Sequence, residues 1–319
     1  MSVPTDPNQP QAAFPAAPGG ANQRLRGLRP LTWLLLFAIV GPCALTLAPG
    51  EIGRWYLAQA LNLRDHGQKQ AAYEKLATAV AWFPKNPELL LQRAEWRLED
   101  GEREDAMADC DQMLELGGET PQWLQVHGQF LQNAGEFVRA VDDWKKIEQF
   151  SRRSGIPPRY QALNGLAYAQ ALAEVELDEA LENVNQALEL LPAEDSVRES
   201  MQQSIREARA AFLDTRGLIF HLQGRNDLAI ADMDRAVKGM EELLGDISRT
   251  SDQGSGTSSS KRIAGYRPKT LQHNKAQDVA VIHYHRALVL SALDRNQEAE
   301  EERAQVRKLI GREPDETLF

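Results

Sequence analysis

His283 and His285 flank Tyr284 and form the one closely spaced histidine pair in the chain. Two imidazoles could hold a transition metal or relay a proton. On a helix, however, residues two apart point about 200° from each other, so this pair cannot share an ion. Cys110 stands between Asp109 and Asp111, a thiol with acidic neighbours. It falls at an apolar position of a predicted helix and reads as a small buried hydrophobe. The flanking aspartates read as a solvated face, and Glu298 and Glu300–Glu302 as outer-surface charge. The sequence contains no phosphate-binding loop, nucleophile elbow, zinc-protease helix or dinucleotide-binding glycine pattern. Catalysis needs a nucleophile, a base and an orienting group in reach of one another, or a metal set. None is legible, so the chain reads as non-enzymatic, with no catalytic residue, metal or cofactor expected.

Charge and cysteine content narrow the classes further. Thirty-six Lys and Arg stand against 46 Asp and Glu in 319 residues, a net charge of −10. The first fifty residues hold Arg24, Arg26 and Arg29 against Asp6, a balance of +2, so −12 falls on residues 51–319. A surface that acidic is a poor match for nucleic-acid phosphates. Two cysteines are too few for a disulfide scaffold or a four-cysteine zinc site.

The N-terminal fifty residues have their own character. Residues 1–29 carry five of the prolines before Pro30 and then the three arginines, without hydrophobic period, and read as a disordered tail. From Pro30 to Gly50 there is no charge, and Leu31–Leu47 (LTWLLLFAIVGPCALTL) is almost wholly apolar. Twenty-one helical residues span about 31 Å, close to the hydrocarbon thickness of a bilayer. The expectation is a transmembrane signal-anchor over 30–50, kinked at Gly41-Pro42. The arginines before it place the N-terminus in the cytoplasm and the rest of the chain on the far, periplasmic or extracytoplasmic, side. A cleaved signal peptide is the alternative. Its best site, Thr46-Leu47-Ala48, is obstructed by Pro49, and Cys43 follows Pro42 rather than the small residue a lipoprotein signal needs.

Beyond Glu51 the strongest signal is a period. Gly67, Gly101 and Gly135 are 34 residues apart; Ala72, Ala106 and Ala140 keep the same spacing, as do Ala60, Ala94 and Gly128. Each unit reads as two amphipathic helices, with apolar residues at helical spacing such as Ala72, Leu76, Ala79 and Val80. The glycine supplies a positive φ where the first helix ends. The small residues mark where two helix backbones cross closely, so a larger side chain there would overpack. Pro84 and Asn86-Pro87 stop one unit and start the next.

This pattern resembles the tetratricopeptide (TPR) repeat. Three more units resemble it: one with Ala167, Ala180, Ala187 and Pro192 and a longer loop lacking glycine; one with Gly217, Gly224, Ala229 and Ala236; and one with Ala287, Leu290 and Ala299 but Asp294 at the turn. The resemblance implies an all-α, TPR-like solenoid of about six helical hairpins over 53–310, preceded by the transmembrane helix. Residues 151–158 separate units three and four, and 194–209 read as a lengthened first helix of unit five. Residues 249–278 open on a Gly/Ser run and carry Lys261, Arg262, Arg267 and Lys269; they read as a mobile solubilising loop.

A TPR array implies a concave groove lined by the first helix of every unit. The family's groove offsets fall in unit three on Gln122, Gln125, Gln129, Gln132 and Asn133, in unit four on Gln161, Asn164 and Tyr168, and in unit six on Tyr284. Amides both donate and accept, so this stripe could hold the backbone of a peptide whatever its side chains. Unit one offers Arg54, Leu57, Leu61 and Arg64, and unit two Glu88, Leu91, Glu95 and Leu98. The Lys/Asn/Arg clamp with which some TPR domains grip acidic C-terminal tails is missing, since its positions hold Leu57, Leu61, Gln92, Gln122 and Val126. The functional expectation is a membrane-anchored scaffold that binds a protein or peptide of unknown identity and no nucleic acid. The alternatives are a non-catalytic subunit or assembly factor of an envelope enzyme complex, and a secreted TPR protein after signal cleavage.

Overall fold

The computed structural model describes residues 52–155, 159–253 and 275–312, and the regular elements among them are all helical. Helix α1 covers 52–65. It is followed by α2 (Lys69–Trp82), α3 (Pro87–Glu99), α4 (Arg103–Gly117), α5 (Pro121–Asn133), α6 (Phe137–Ser154), α7 (Tyr160–Leu172) and α8 (Leu177–Leu190). A 3-10 turn at Glu194–Ser196 precedes α9 (Glu199–Leu222), α10 (Asn226–Gln253), α11 (Lys275–Ala292) and α12 (Asn296–Ile310). The proposed tail and span, residues 1–50, lie outside the described residues. Among those described, no helix is long and apolar enough to cross a membrane.

The chain divides into two compact units after Pro84. In the first, α1 and α2 form a hairpin whose interior is Leu57, Ala60, Ala72, Leu76 and Ala79. The hairpin closes tightly at its ends: a Cβ on Gly53 would lie 2.5 Å from the Phe83 ring. In the second unit each helix packs on its neighbours in sequence, from α3 on α4 through to α11 on α12, and α9 also meets α7 and α11. Contacts confined to near neighbours are the mark of stacked repeats.

The residues that define the period do the work their types imply. Ala94, Ala106, Ala140, Ala167, Ala180, Ala229, Ala287 and Ala299 have essentially no exposure. A Cβ on Gly128 would come 3.1 Å from Trp144 Nε1, and one on Gly217 2.9 Å from Met233 Cγ and 3.2 Å from the Ala229 carbonyl oxygen. Larger side chains would force the helices apart. Trp144 is wedged between two such positions, because Gly165 of α7, which no period marks, would place a Cβ 2.5 Å from the other edge of its indole.

All six hairpins turn in the same way. The amide after the left-handed residue reaches back five residues: Gln68 to Leu63 O, Glu102 to Arg97 O, Glu136 to Leu131 O, Val175 to Gln170 O, Arg225 to Phe220 O and Arg295 to Leu290 O, all at 2.8–3.0 Å. This closes the orphan carbonyls of the first helix. Glycine fills the left-handed position in four turns, Gly67, Gly101, Gly135 and Gly224; Glu174 (φ 53°) and Asp294 (φ 60°) fill it in units four and six. The loop of unit four is therefore the same motif at a residue type it strains, with Glu176 also at positive φ (51°). At the unit boundaries Asn86 Oδ1 accepts from the Glu88 amide, and Pro87 and Pro121 take first-turn positions whose amides have no partner to lose.

Three segments differ from expectation. Residues 151–154 extend α6, which ends at Gly155 in the left-handed region (φ 65°), so less of 151–158 is spacer than the Gly-Ile-Pro-Pro sequence suggests. Helix α9 starts at Glu199, so only 194–198 connects units four and five ahead of the lengthened helix. Helices α10 and α11 occupy 249–253 and 275–278, the two ends of the stretch read as loop; its middle, with the basic cluster, lies outside the described residues.

Candidate interaction surface

Helix α5 presents a run of amides along one face. Thr120 and Pro121 start the helix, with the Thr120 hydroxyl accepting from the Trp123 amide at 3.5 Å. Leu124, His127, Gly128, Phe130 and Leu131 take the buried face. The remaining face carries Gln122, Gln125 and Asn133 exposed and Gln129 half-buried. Gln132 does not belong to it: it is buried, with its Nε2 lacking a hydrogen-bond partner. Residue 132 sits one turn above Gly128, at the edge of the covered face; it is only about 20° around the helix from Gln125, so the boundary between covered and open surface on α5 runs between these two amides.

The candidates on α7 and α11 are drawn together by an element between them. Gln161 is exposed, whereas Asn164 and Tyr168 are half-buried, and Asn164 Oδ1 has no hydrogen-bond partner. The Tyr168 ring lies 6.2 Å from that of His285, and Tyr284 lies 6.3 Å from the same imidazole. His285, fully buried, donates from Nδ1 to Asp214 Oδ2 of α9 at 2.8 Å. Burial first, and then the charges of Asp214 and Asp278, push the Tyr168 phenol well above its usual range, so it stays a neutral donor. Asp214 and His285 were not among the groove candidates, and they hold this cluster in place.

In the first unit Arg54 is exposed, but Leu57 is buried and Arg64 stacks over the Tyr73 ring at 5.6 Å. In unit two Leu91 and Glu95 are core residues, with Gln92 Nε2 donating to Glu95 Oε2 at 3.1 Å; only Glu88 of the four projected positions is exposed. Fixed offsets fail on α3 because nearly its whole circumference is covered, including the consecutive run Leu89–Gln92.

Of the acidic residues read as surface, Glu300 and Glu301 are exposed, whereas Asp109 and Glu302 are the clearest correction. Asp109 is buried and receives Arg93 through Nε at 2.8 Å and Nη2 at 2.6 Å, with Arg97 Nη1 at 2.6 Å. Glu302, half-buried, meets His283 Nδ1 at 2.5 Å and also Arg286. These pairs form a series. Arg93–Asp109, His127–Asp143, Arg216–Asp232 and Arg286–Glu302 each join the residue before the small residue of a first helix to a carboxylate sixteen positions on. His127 brings Nδ1 to 2.5 Å from Asp143 and Nε2 to 3.1 Å from Asp111. Repeat spacing could have found the series, since Arg93 and His127, like Asp109 and Asp143, stand 34 apart. In unit four the corresponding residues are Leu166 and Glu182, and the link is made by amides, Asn183 Nδ2 donating to Gln170 Oε1 at 3.3 Å.

These environments set the titration. The Asp109 hydrogen bond raises Arg93 further above its ordinary value. Burial pushes Glu302 upward, but the hydrogen bond and charge of His283 with the charge of Arg286 outweigh it, holding the carboxyl below the usual 4.5. Cys110 is buried as its apolar position implied, and burial pushes its thiol far above the reactive range. His283 and His285 face different partners, Glu302 and Asp214, as their spacing requires. A cleft of about 500 Å³ bounded by Asp234, Lys238, His283, Arg286 and Glu302 is crossed by those ion pairs.

No protein-family model and no curated protein sequence matches the chain. Among solved structures it is similar to a tetratricopeptide repeat protein from Parabacteroides merdae, at 16% identity over 81% of this chain and 78% of that one, with a TM-score of 0.51. It is also similar to PilW, described as a widely conserved type IV pilus biogenesis factor, at 15% identity over 81% of this chain and 93% of that one, with a TM-score of 0.47. The first likeness identifies a TPR-type stack of helical hairpins and extends no further than the fold.

Proposed function

We propose that this chain is a membrane-anchored, non-catalytic TPR scaffold that holds a protein or peptide partner on the first helices of its hairpins. The observation that carries the reading is the α5 face: four amides at helical spacing, none engaged in a side-chain ion pair and none needed by the core. Such a row can donate to and accept from a peptide backbone. The charge-free stretch 30–50 supplies the anchor in this reading, with Arg24, Arg26 and Arg29 keeping the N-terminus in the cytoplasm and the repeats on the far side.

Affinity capture from a detergent extract tests the scaffold. The full-length chain is expected to recover a partner that the double variant Gln125→Ala, Gln129→Ala does not. Background recovery by both would remove the groove reading. Orientation is read separately, by adding protease outside intact cells or spheroplasts. Digestion of the repeats with an N-terminal tag left protected is the expected pattern.

A further inference from the structure

We infer that the open end of the α1–α2 hairpin is a membrane-interface contact, with Ile52, Trp55 and Trp82 seated among phospholipid headgroups. This rests on the anchor proposed above. Trp55 is 57% exposed, Trp82 61% and Ile52 37%. Trp96 and Trp144 are buried and Trp123 half-buried, so the exposed tryptophans among the described residues are both in this hairpin. They are also at the same end of it: α1 begins at 52, α2 ends at Trp82, and Gly53 lies against Phe83. Large aromatic side chains left in water at one end of a small hairpin call for a partner.

The sequence next to that end says which one. The uncharged run closes at Gly50, two residues before Ile52 and five before Trp55. Two residues reach at most about 7 Å. The headgroup layer on each side of the hydrocarbon is itself roughly 5–8 Å deep. If 30–50 spans, this end of the hairpin is confined to the layer where indole is most stable, its N–H solvated and its ring against acyl chains. Trp55 is braced edge-on against Tyr56, with centroids 4.9 Å apart, and Lys75 lies 5.7 Å from the Tyr56 ring. The aromatic tip is thus pre-ordered rather than trailing. Interfacial seating would fix the direction in which the hairpin leaves the bilayer, which a flexible tether would not.

The test uses the full-length chain carrying Trp33→Phe, reconstituted into phosphatidylcholine vesicles with or without bromine on the acyl chains near the headgroups. Two of its five remaining tryptophans are within reach of the quencher, so up to about two-fifths of the emission should be lost. Adding Trp55→Phe and Trp82→Phe should abolish the difference between the vesicles while leaving the circular-dichroism melting curve unchanged, because both positions are exposed. Chains that float with vesicles yet show equal emission in both overturn this inference and leave the anchor standing. Chains that do not float overturn the anchor and the contact together.

Discussion

Helices α5 and α7 hold equivalent places in successive hairpins, yet their candidate residues meet opposite fates. On α5 the amides Gln122, Gln125 and Asn133 face solvent, and the helix packs against α4 and α6. On α7, Tyr168 is drawn toward the His285–Asp214 pair because the 24-residue α9 packs against both α7 and α11. A first-helix position is therefore open to a partner only where no neighbouring first helix has claimed it. In the function proposed above, the difference makes α5 the recognition face and the α7–α9–α11 cluster its support.

The sharpest way to break that contrast is Asp214→Ala. If the cluster is structural, loss of the buried acceptor opposite His285 should cost about 3 kcal/mol in urea unfolding; a change below about 0.5 kcal/mol would return these residues to the list of ligand contacts. The next effect is one of pH. Glu302, packed beside His283 and Arg286, has its carboxyl held below 4.5, so it contributes its stability above its ordinary pKa and loses it as pH falls through the lowered value. Removal of this charged hydrogen-bond acceptor should cost about 1.5 kcal/mol at neutral pH. Urea midpoints should fall on acidification below about pH 4.5, and Glu302→Gln should reduce that fall.

A gain is expected at the turn after α7. Glu174→Gly relieves a side chain held at φ 53° and should raise stability by about 1 kcal/mol. The corresponding Gly135→Glu after α5 should lose a similar amount, which ties the two turns to one rule. The smallest expected effect belongs to the recognition face. Gln122→Ala, Gln125→Ala and Gln129→Ala combined should shift the unfolding free energy by less than about 0.5 kcal/mol. A larger loss would mean that the α5 amides, like Tyr168, are part of the packing.

Much of the fold is legible in the chain. The 34-residue columns mark the helix crossings and four of the six turns, because a close crossing admits only a small side chain and a left-handed turn favours glycine. The other two turns hide behind Glu174 and Asp294, whose strain the stacked helices tolerate. Gly165 is hidden too: its need for space comes from Trp144, twenty-one residues away, and no period records it. Among the candidate residues, Gln122, Gln125, Gln129 and Asn133 follow from helical phase on one element. Gln132 lies only about 20° around the helix from exposed Gln125, so phase on α5 does not separate the two, and its burial is set by what packs beside the helix.

By itself, then, the sequence determined helical character, the small-residue seams, the four glycine turns and the uncharged stretch ahead of the repeats. Only the tertiary structure decided which charges lie inside. Asp109 and Glu302 look like surface residues on any single helix; Asp109 is buried and Glu302 half-buried, each met by an arginine or histidine of the preceding helix. That meeting depends on how two helices cross, a property of the pair that neither helix carries alone.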